Sequence, residues 1–331
     1  MKWPINPIGD GLLSEPASFR RAAGGAKGFA LIFQKKQGKI MLQGICVAIC
    51  TTFDKVTQEF DEKAYLKHLD RMLEAGVPII AVCGGTGEFA HLETEERRCI
   101  AEVTAKHIEG KAQLIVHASA ARTKNAVEAA KHAEGLGAAA VLMLPAIFEG
   151  ADADGVFKHY ETIGKAVKTP IMAYNIPQNS GFDITPEYYE RLRSIPSVQY
   201  IKDSTGDLMR IERLIAQGAN VFNGCDYFSL YALMAGAAGC FWGGANVMPR
   251  EAVQLYSLAT QGRLPEAGEL WKKMKAANMF FWNNAYNSSV KAAAGLRGND
   301  LGECRLPVLP LSAEKVAELK KALAPLGAVP K

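Results

Sequence analysis

The chain has 331 residues, 49% of them hydrophobic, with charges of both signs, enough apolar material for one large domain or two ordinary ones. The formal net charge is +4, but residues 1–40 hold seven Lys/Arg against two Asp/Glu and leave residues 41–331 at −1, which excludes the basic face that a nucleic-acid partner calls for. No stretch approaches the roughly 18 consecutive apolar residues of a membrane-spanning helix.

Residues 1–40 are rich in Gly, Pro and basic side chains and lack sustained periodicity. They are expected to form a mobile N-terminal extension without a catalytic role. The acid-poor "FRRAAGG" suits a targeting segment, and Met41, just before the first strand, suits an upstream reading of the start. From Met41 onward, short apolar runs alternate with amphipathic segments. The runs predict strands near 44–52, 78–83, 113–118, 139–145, 170–175, 198–203, 221–224 and 238–243. Helical patterns lie between them near 60–75, 93–108, 123–135, 153–167, 185–194, 207–217 and 227–235. Eight strand–helix units in about 210 residues predict a closed (β/α)8 TIM barrel over 41–260. A dinucleotide-binding sheet would want G-x-G-x-x-G after the first strand, and "ICTTFDKVTQ" offers none. The pattern then turns helical near 249–260, 263–285 and 312–324, so residues 261–331 are expected to form a C-terminal helical extension.

In a barrel of this kind chemistry sits where strands end. The sixth strand ends in "YIKDS", and strict alternation puts Val198, Tyr200 and Lys202 on one face. An amine short of water favours its neutral form, the form that attacks a carbonyl, so Lys202 is a candidate Schiff-base lysine. A strand-end lysine paired with Asp203 is the alternative. Tyr174 closes the neighbouring strand and suits a proton relay. "GGTGE" after strand two places Gly85 and Thr86 where backbone amides and a hydroxyl can cradle a carboxylate, with Glu88 left to local structure. A phosphate site after strand eight finds no Lys or Arg before Arg250, and Trp242 stands where room is needed. The six histidines show no metal-ligand spacing, and His117 near the mouth reads as a satisfied core histidine. The seven cysteines, an odd number without C-x-x-C, read as reduced, buried thiols of a cytoplasmic protein.

"GGTGE", "YNIP", "IKDSTGD", "NGCD" and "GCFWGGANVMP" occur in this order, and together they resemble the dihydrodipicolinate synthase / N-acetylneuraminate lyase family of pyruvate-dependent class I aldolases. The resemblance spans roughly residues 41 to 325. It implies a lyase, aldolase or dehydratase, in which Lys202 forms the imine with pyruvate or a 2-keto-3-deoxy acid and Tyr174 relays protons. It implies that Gly85 and Thr86 hold the α-carboxylate with a backbone contact at Phe241, that no metal or organic cofactor is needed, and that the chain assembles as a homotetramer, a dimer of dimers. The departures fall at the second substrate. Gly85 replaces the first of two threonines, Asn179 stands where synthases carry an arginine, and "LPAIFEG" has Ala146 and Ile147 where they carry a relay tyrosine. Asn179 and Ile147 are therefore expected to set substrate choice. The missing relay residues also motivate a second reading, a barrel that binds a 2-oxo acid without turnover, as a sensor or assembly partner.

Overall fold

In the computed structural model, which describes residues 35–36, 39–145 and 150–327, a two-residue antiparallel ladder (Lys35–Lys36 with Lys39–Ile40) precedes eight parallel strands. The strands are β1 (Gly44–Ala48), β2 (Ile79–Val82), β3 (Gln113–His117), β4 (Ala140–Met143), β5 (Ile171–Asn175), β6 (Val198–Asp203), β7 (Val221–Asn223) and β8 (Gly239–Trp242). Each pairs with the next and β8 pairs with β1, closing the expected (β/α)8 barrel. The expectation of a mobile extension over 1–40 otherwise falls outside the described residues.

Between the strands run α1 (Glu62–Glu74), α2 (Thr94–Ile108), α3 (Thr123–Gly135), α4 (Ala153–Ala166), α5 (Pro177–Ser180), α6 (Pro186–Leu192), α7 (Leu208–Ala216) and α8 (Ser229–Met234). After β8 come α9 (Pro249–Thr260), α10 (Leu264–Asn283), α11 (Tyr286–Leu296) and α12 (Ala313–Leu323). Asp61, Asp152 and Asp207 cap α1, α4 and α7 by accepting from backbone amides three residues on. The sequence pattern did not show α11, because "YNSSVKAAAGL" is buried on most sides and carries little amphipathic contrast. None of the described helices is long and apolar enough to cross a membrane. All seven cysteines are free; six are buried, and Cys99 is exposed, against expectation.

The strands divide the core in two. Ile79, Ile115, Leu142, Met172, Tyr200 and Phe222 pack in the lumen, while Ile80, Val116, Val141, Ala173 and Ile201 pack against the helices. Period-two geometry produces this division. It fails at one point: Ile171 pairs with Val198 but Met172 with Tyr200, so an extra residue bulges from β6. Val198 joins the outer core instead of the lumen. From Tyr200 on, the alternation is regular and Lys202 takes the lumen parity.

The seam between β8 and β1 is fastened by the fully buried Asn246. Its Nδ2 donates to Ala48 O (2.8 Å) and Gly243 O (2.6 Å), and its Oδ1 accepts from Cys50 N at 3.0 Å. His68 of α1 completes the knot, with Nε2 2.8 Å from Asn246 Oδ1 and Nδ1 2.8 Å from Asn299 Nδ2. Nε2–H therefore donates and Nδ1 accepts, which requires a neutral ring. Burial lowers the His68 pKa to about 4. Below its usual 6.5 the unfolded chain binds a proton that the folded ring refuses, so stability falls as pH drops from 6.5 to 4, by about 3 kcal/mol. Urea titrations of His68→Gln, which keeps an acceptor and a donor, should show a smaller loss over that window than the parent. An equal loss in both proteins would remove His68 as the cause.

Candidate active site

Lys202 and Tyr174 are register partners at the carboxyl ends of β6 and β5. Both are buried, at 6% and 5% exposure. The Lys202 Nζ lies 3.8 Å from the Tyr174 ring centroid and 4.1 Å from that of Phe241 on β8, so aromatic faces surround the ammonium. Among the described residues no carboxylate forms an ion pair with it. Asp203, the alternative partner, points to the other side of the sheet, where its carboxylate accepts from Asn175 Nδ2 at 2.8 Å and from Thr205. Asn175 in turn accepts from Ile184 N at 2.8 Å, and Asp183 pairs with Arg210. Each reactive side chain in the lumen thus has an immediate chain neighbour locked outside it. Glycine at 224 leaves room for Ser204 and for the lysine shaft, since a Cβ there would meet Ser204 Oγ first and stand 2.9 Å from Lys202 Cε and 3.1 Å from Asp203 O.

The turn after β2 faces this pair. A side chain at Gly85 would begin 3.8 Å from the Tyr174 hydroxyl, which makes no hydrogen bond to any described residue. The amides of Gly85 and Thr86 donate to no described group, whereas Gly85 O accepts from Glu88 N (3.0 Å) and from Asn287 Nδ2 (2.9 Å). Glu88 ends the turn in the left-handed region, at φ 59°. Its buried carboxylate pairs with Lys291 of α11 at 2.7 Å and accepts from Arg305 N at 3.0 Å, so it anchors the turn to the C-terminal segment.

Three side chains that sequence reasoning did not assign complete the surroundings. Asp226 follows β7, is fully buried, and accepts from Tyr286 Oη at 2.6 Å and Gly244 N at 2.8 Å. Burial raises its pKa to about 6, against the pull of these donors and of the Lys202 charge. Tyr286 arrives from α11, 60 residues away in the chain, and no local pattern announces that approach; "NGCD" carried the only signal for Asp226. His117 is buried at the end of β3, edge-on to Tyr174, with ring centroids 6.3 Å apart. The expected satisfied histidine is met only by the Cys83 carbonyl, which pulls its pKa up against burial; neither nitrogen otherwise finds hydrogen-bonding geometry with a described group. Trp242 also departs from expectation. It packs outside the lumen against Trp271 and donates to Asn278 Oδ1 at 3.1 Å, so it does not fill the mouth. Asn179 is exposed on α5, at the rim, and Ile147 lies outside the described residues. A separate cavity of about 90 Å³ lies between α2 and α3, with Arg97, His117, Asn125 and Glu128 in its wall.

Gly224→Ala should push on Ser204 and the Lys202 shaft together and slow covalent capture of a 2-oxo acid by about 10- to 100-fold while the barrel still folds; capture at the parental rate would show that Ser204 yields and the shaft keeps its place. For Asp226 the sign follows from its raised pKa. Between pH 4 and 6 the unfolded carboxyl has lost its proton and the folded one keeps it, so stability falls with rising pH, by about 3 kcal/mol. Asp226→Asn should gain on the parent across that window in chemical denaturation. A constant difference between the two proteins would mean that Asp226 titrates normally.

The chain matches the Dihydrodipicolinate synthetase family over residues 41–326. It is 30% identical over 288 residues to the 4-hydroxy-tetrahydrodipicolinate synthase of Thermodesulfovibrio yellowstonii, covering 85% of this chain and 98% of that one. It is 31% identical over 278 residues to the enzyme of that name from Geotalea daltonii, covering 82% and 94%. Among solved structures, the chloride-inhibited dihydrodipicolinate synthase of Acinetobacter baumannii complexed with pyruvate superposes with a TM-score of 0.84 at 28% identity, over 87% of this chain and 100% of that one. The Thermotoga maritima dihydrodipicolinate synthase gives 0.81 at 29% identity, over 86% and 98%. With its closed parallel barrel and strand-end lysine, the chain belongs to the dihydrodipicolinate synthetase family, lyases of the class I aldolase type.

Proposed function

We propose that Lys202 captures a 2-oxo acid, pyruvate or a 2-keto-3-deoxy acid, and uses the resulting imine to make or break the bond beyond the imine carbon. One observation carries the assignment: the Lys202 Nζ is buried beside the Tyr174 ring in the lumen, without a carboxylate to tie it down. The amine lone pair attacks C2, and the carbinolamine hydroxyl leaves as water with a proton supplied by Tyr174. The iminium then accepts the electron pair of a bond at C3, giving an enamine, and reprotonation and hydrolysis release the product and the free lysine. The unengaged amides of Gly85 and Thr86 hold the α-carboxylate, and Phe241 packs against the methylene side of the lysine adduct. Asn179 at the rim meets the far end of the second substrate, and the Ile147 side chain is the second expected determinant of its choice. Asn179 there is neutral, which favours a hydroxylated or uncharged group over a second carboxylate. Pyruvate as the first substrate is supported by the Acinetobacter relative's complex.

The assembly that goes with this reading is a homotetramer. Tyr231 on α8 and Met279 and Trp282 on α10 are exposed apolar side chains that a neighbouring subunit would cover.

Incubation with pyruvate and sodium borohydride should leave one reduced pyruvyl adduct, located at Lys202 by peptide mass spectrometry and absent from Lys202→Arg. An unmodified Lys202 with pyruvate and with a panel of 2-keto-3-deoxy acids would overturn the assignment.

A further inference from the structure

Tyr286, Asn287 and Lys291, all on α11, reach back to the mouth of the barrel. Two of them meet side chains: Lys291 pairs with the Glu88 carboxylate, and Tyr286 donates to Asp226. Asn287 is different. Its Nδ2 donates to a main-chain atom, the Gly85 carbonyl oxygen, at 2.9 Å.

The Gly85 carbonyl and the Thr86 amide belong to one peptide unit, and that unit is trans. A trans peptide is planar, so its C=O and N–H point in opposite directions. Whatever fixes the oxygen therefore aims the hydrogen. The Gly85 oxygen is held twice, by Glu88 N at 3.0 Å from within the turn and by Asn287 from outside it. In the preceding unit, Gly84 O accepts from Phe89 N at 3.2 Å, which turns the Gly85 amide the opposite way by the same rule. Neither amide donates to a described group, and a side chain at Gly85 would begin 3.8 Å from the Tyr174 hydroxyl. The turn itself resists rotation weakly, because Gly84, Gly85 and Gly87 leave its backbone torsions little restricted. Its far end is anchored at Glu88, in the left-handed region, by Lys291 and Arg305 N. Its middle depends on the contact from Asn287.

We infer that Asn287 is a positioning residue for the 2-oxo acid: by holding the Gly85 oxygen it keeps the Thr86 amide aimed at the α-carboxylate. This rests on the Schiff-base reading of Lys202 and deepens it. Asn287 touches no substrate atom in this role and acts through the peptide plane. Without it the plane is free to rotate, and the carboxylate loses an oriented donor. Lys202 and Tyr174, which stand on β6 and β5, keep their places. The loss therefore falls on binding of the acid before it falls on bond making.

Reductive trapping at Lys202 in the full-length protein, followed against pyruvate concentration, separates these two effects. Asn287→Ala and Asn287→Asp both remove the donor. Each should raise the half-saturating pyruvate concentration by about 3- to 10-fold, the worth of one hydrogen bond, with a smaller change in the rate at saturation. Asn287→Gln, which keeps an amide donor, should recover part of the lost affinity. Half-saturation that less than doubles in both donor-free variants would overturn this role. So would a saturating rate that falls as far as the affinity together with a lower unfolding midpoint, the mark of a purely structural contact. If the parent traps no 2-oxo acid, the Schiff-base reading fails and the role of Asn287 falls with it. That outcome is distinct from saturable trapping that ignores Asn287.

Discussion

The barrel depends on one buried amide. Asn246 spans the seam where β8 meets β1, and both ends of its side chain are used: two donors on backbone carbonyls, and one acceptor shared by Cys50 N and the His68 ring. A closed sheet has no free edge to absorb a mismatch, so the first and last strands must meet in register. With every polar atom of Asn246 engaged, any slip of the seam would strand buried donors and acceptors, each at about 1–3 kcal/mol. His68 and Asn299 extend this penalty to α1 and to the chain beyond α11, which ties the extension to the barrel.

On that frame the pleat separates chemistry from support. Tyr174 and Lys202 face inward as register partners, while the residues that follow them, Asn175 and Asp203, are hydrogen-bonded to each other on the outside. The reactive groups are therefore placed by neighbours that never touch substrate. Space is controlled in the same way. Gly224 clears the lysine shaft, and glycine at 243 clears both Thr86 Oγ1, 2.8 Å from where a Cβ would stand, and the Tyr286 hydroxyl.

The C-terminal segment closes the site from outside the barrel. Lys291 of α11 reaches the Glu88 carboxylate, Asn287 holds Gly85 O, and Tyr286 holds Asp226. The Lys291–Glu88 pair is fully buried, and removing either partner would leave a charge without compensation. Its location, at a left-handed residue just after the Gly85–Thr86 turn, makes it a fastening for the segment that carries the anion-holding amides.

The sequence by itself determined the eightfold strand–helix rhythm, the strand ends that carry Lys202, Tyr174 and the glycine turn, and membership of a family whose motifs are each a short unbroken run of the chain. These are local signals: periodicity, turn residues and short ordered motifs survive in one dimension. The bulge that moves Val198 out of the lumen, the outward turn of Trp242 and the docking of Tyr286 onto Asp226 were decided only by the tertiary structure. Each depends on register or on contacts between distant segments, which no window of sequence contains. His117 shows the difference most sharply. Its type and strand position were legible, and so was its place near the mouth. What surrounds its ring depended on what β2, α2 and β5 bring to the same spot, and folding set it edge-on to Phe89 and Tyr174 beside the Cys83 carbonyl.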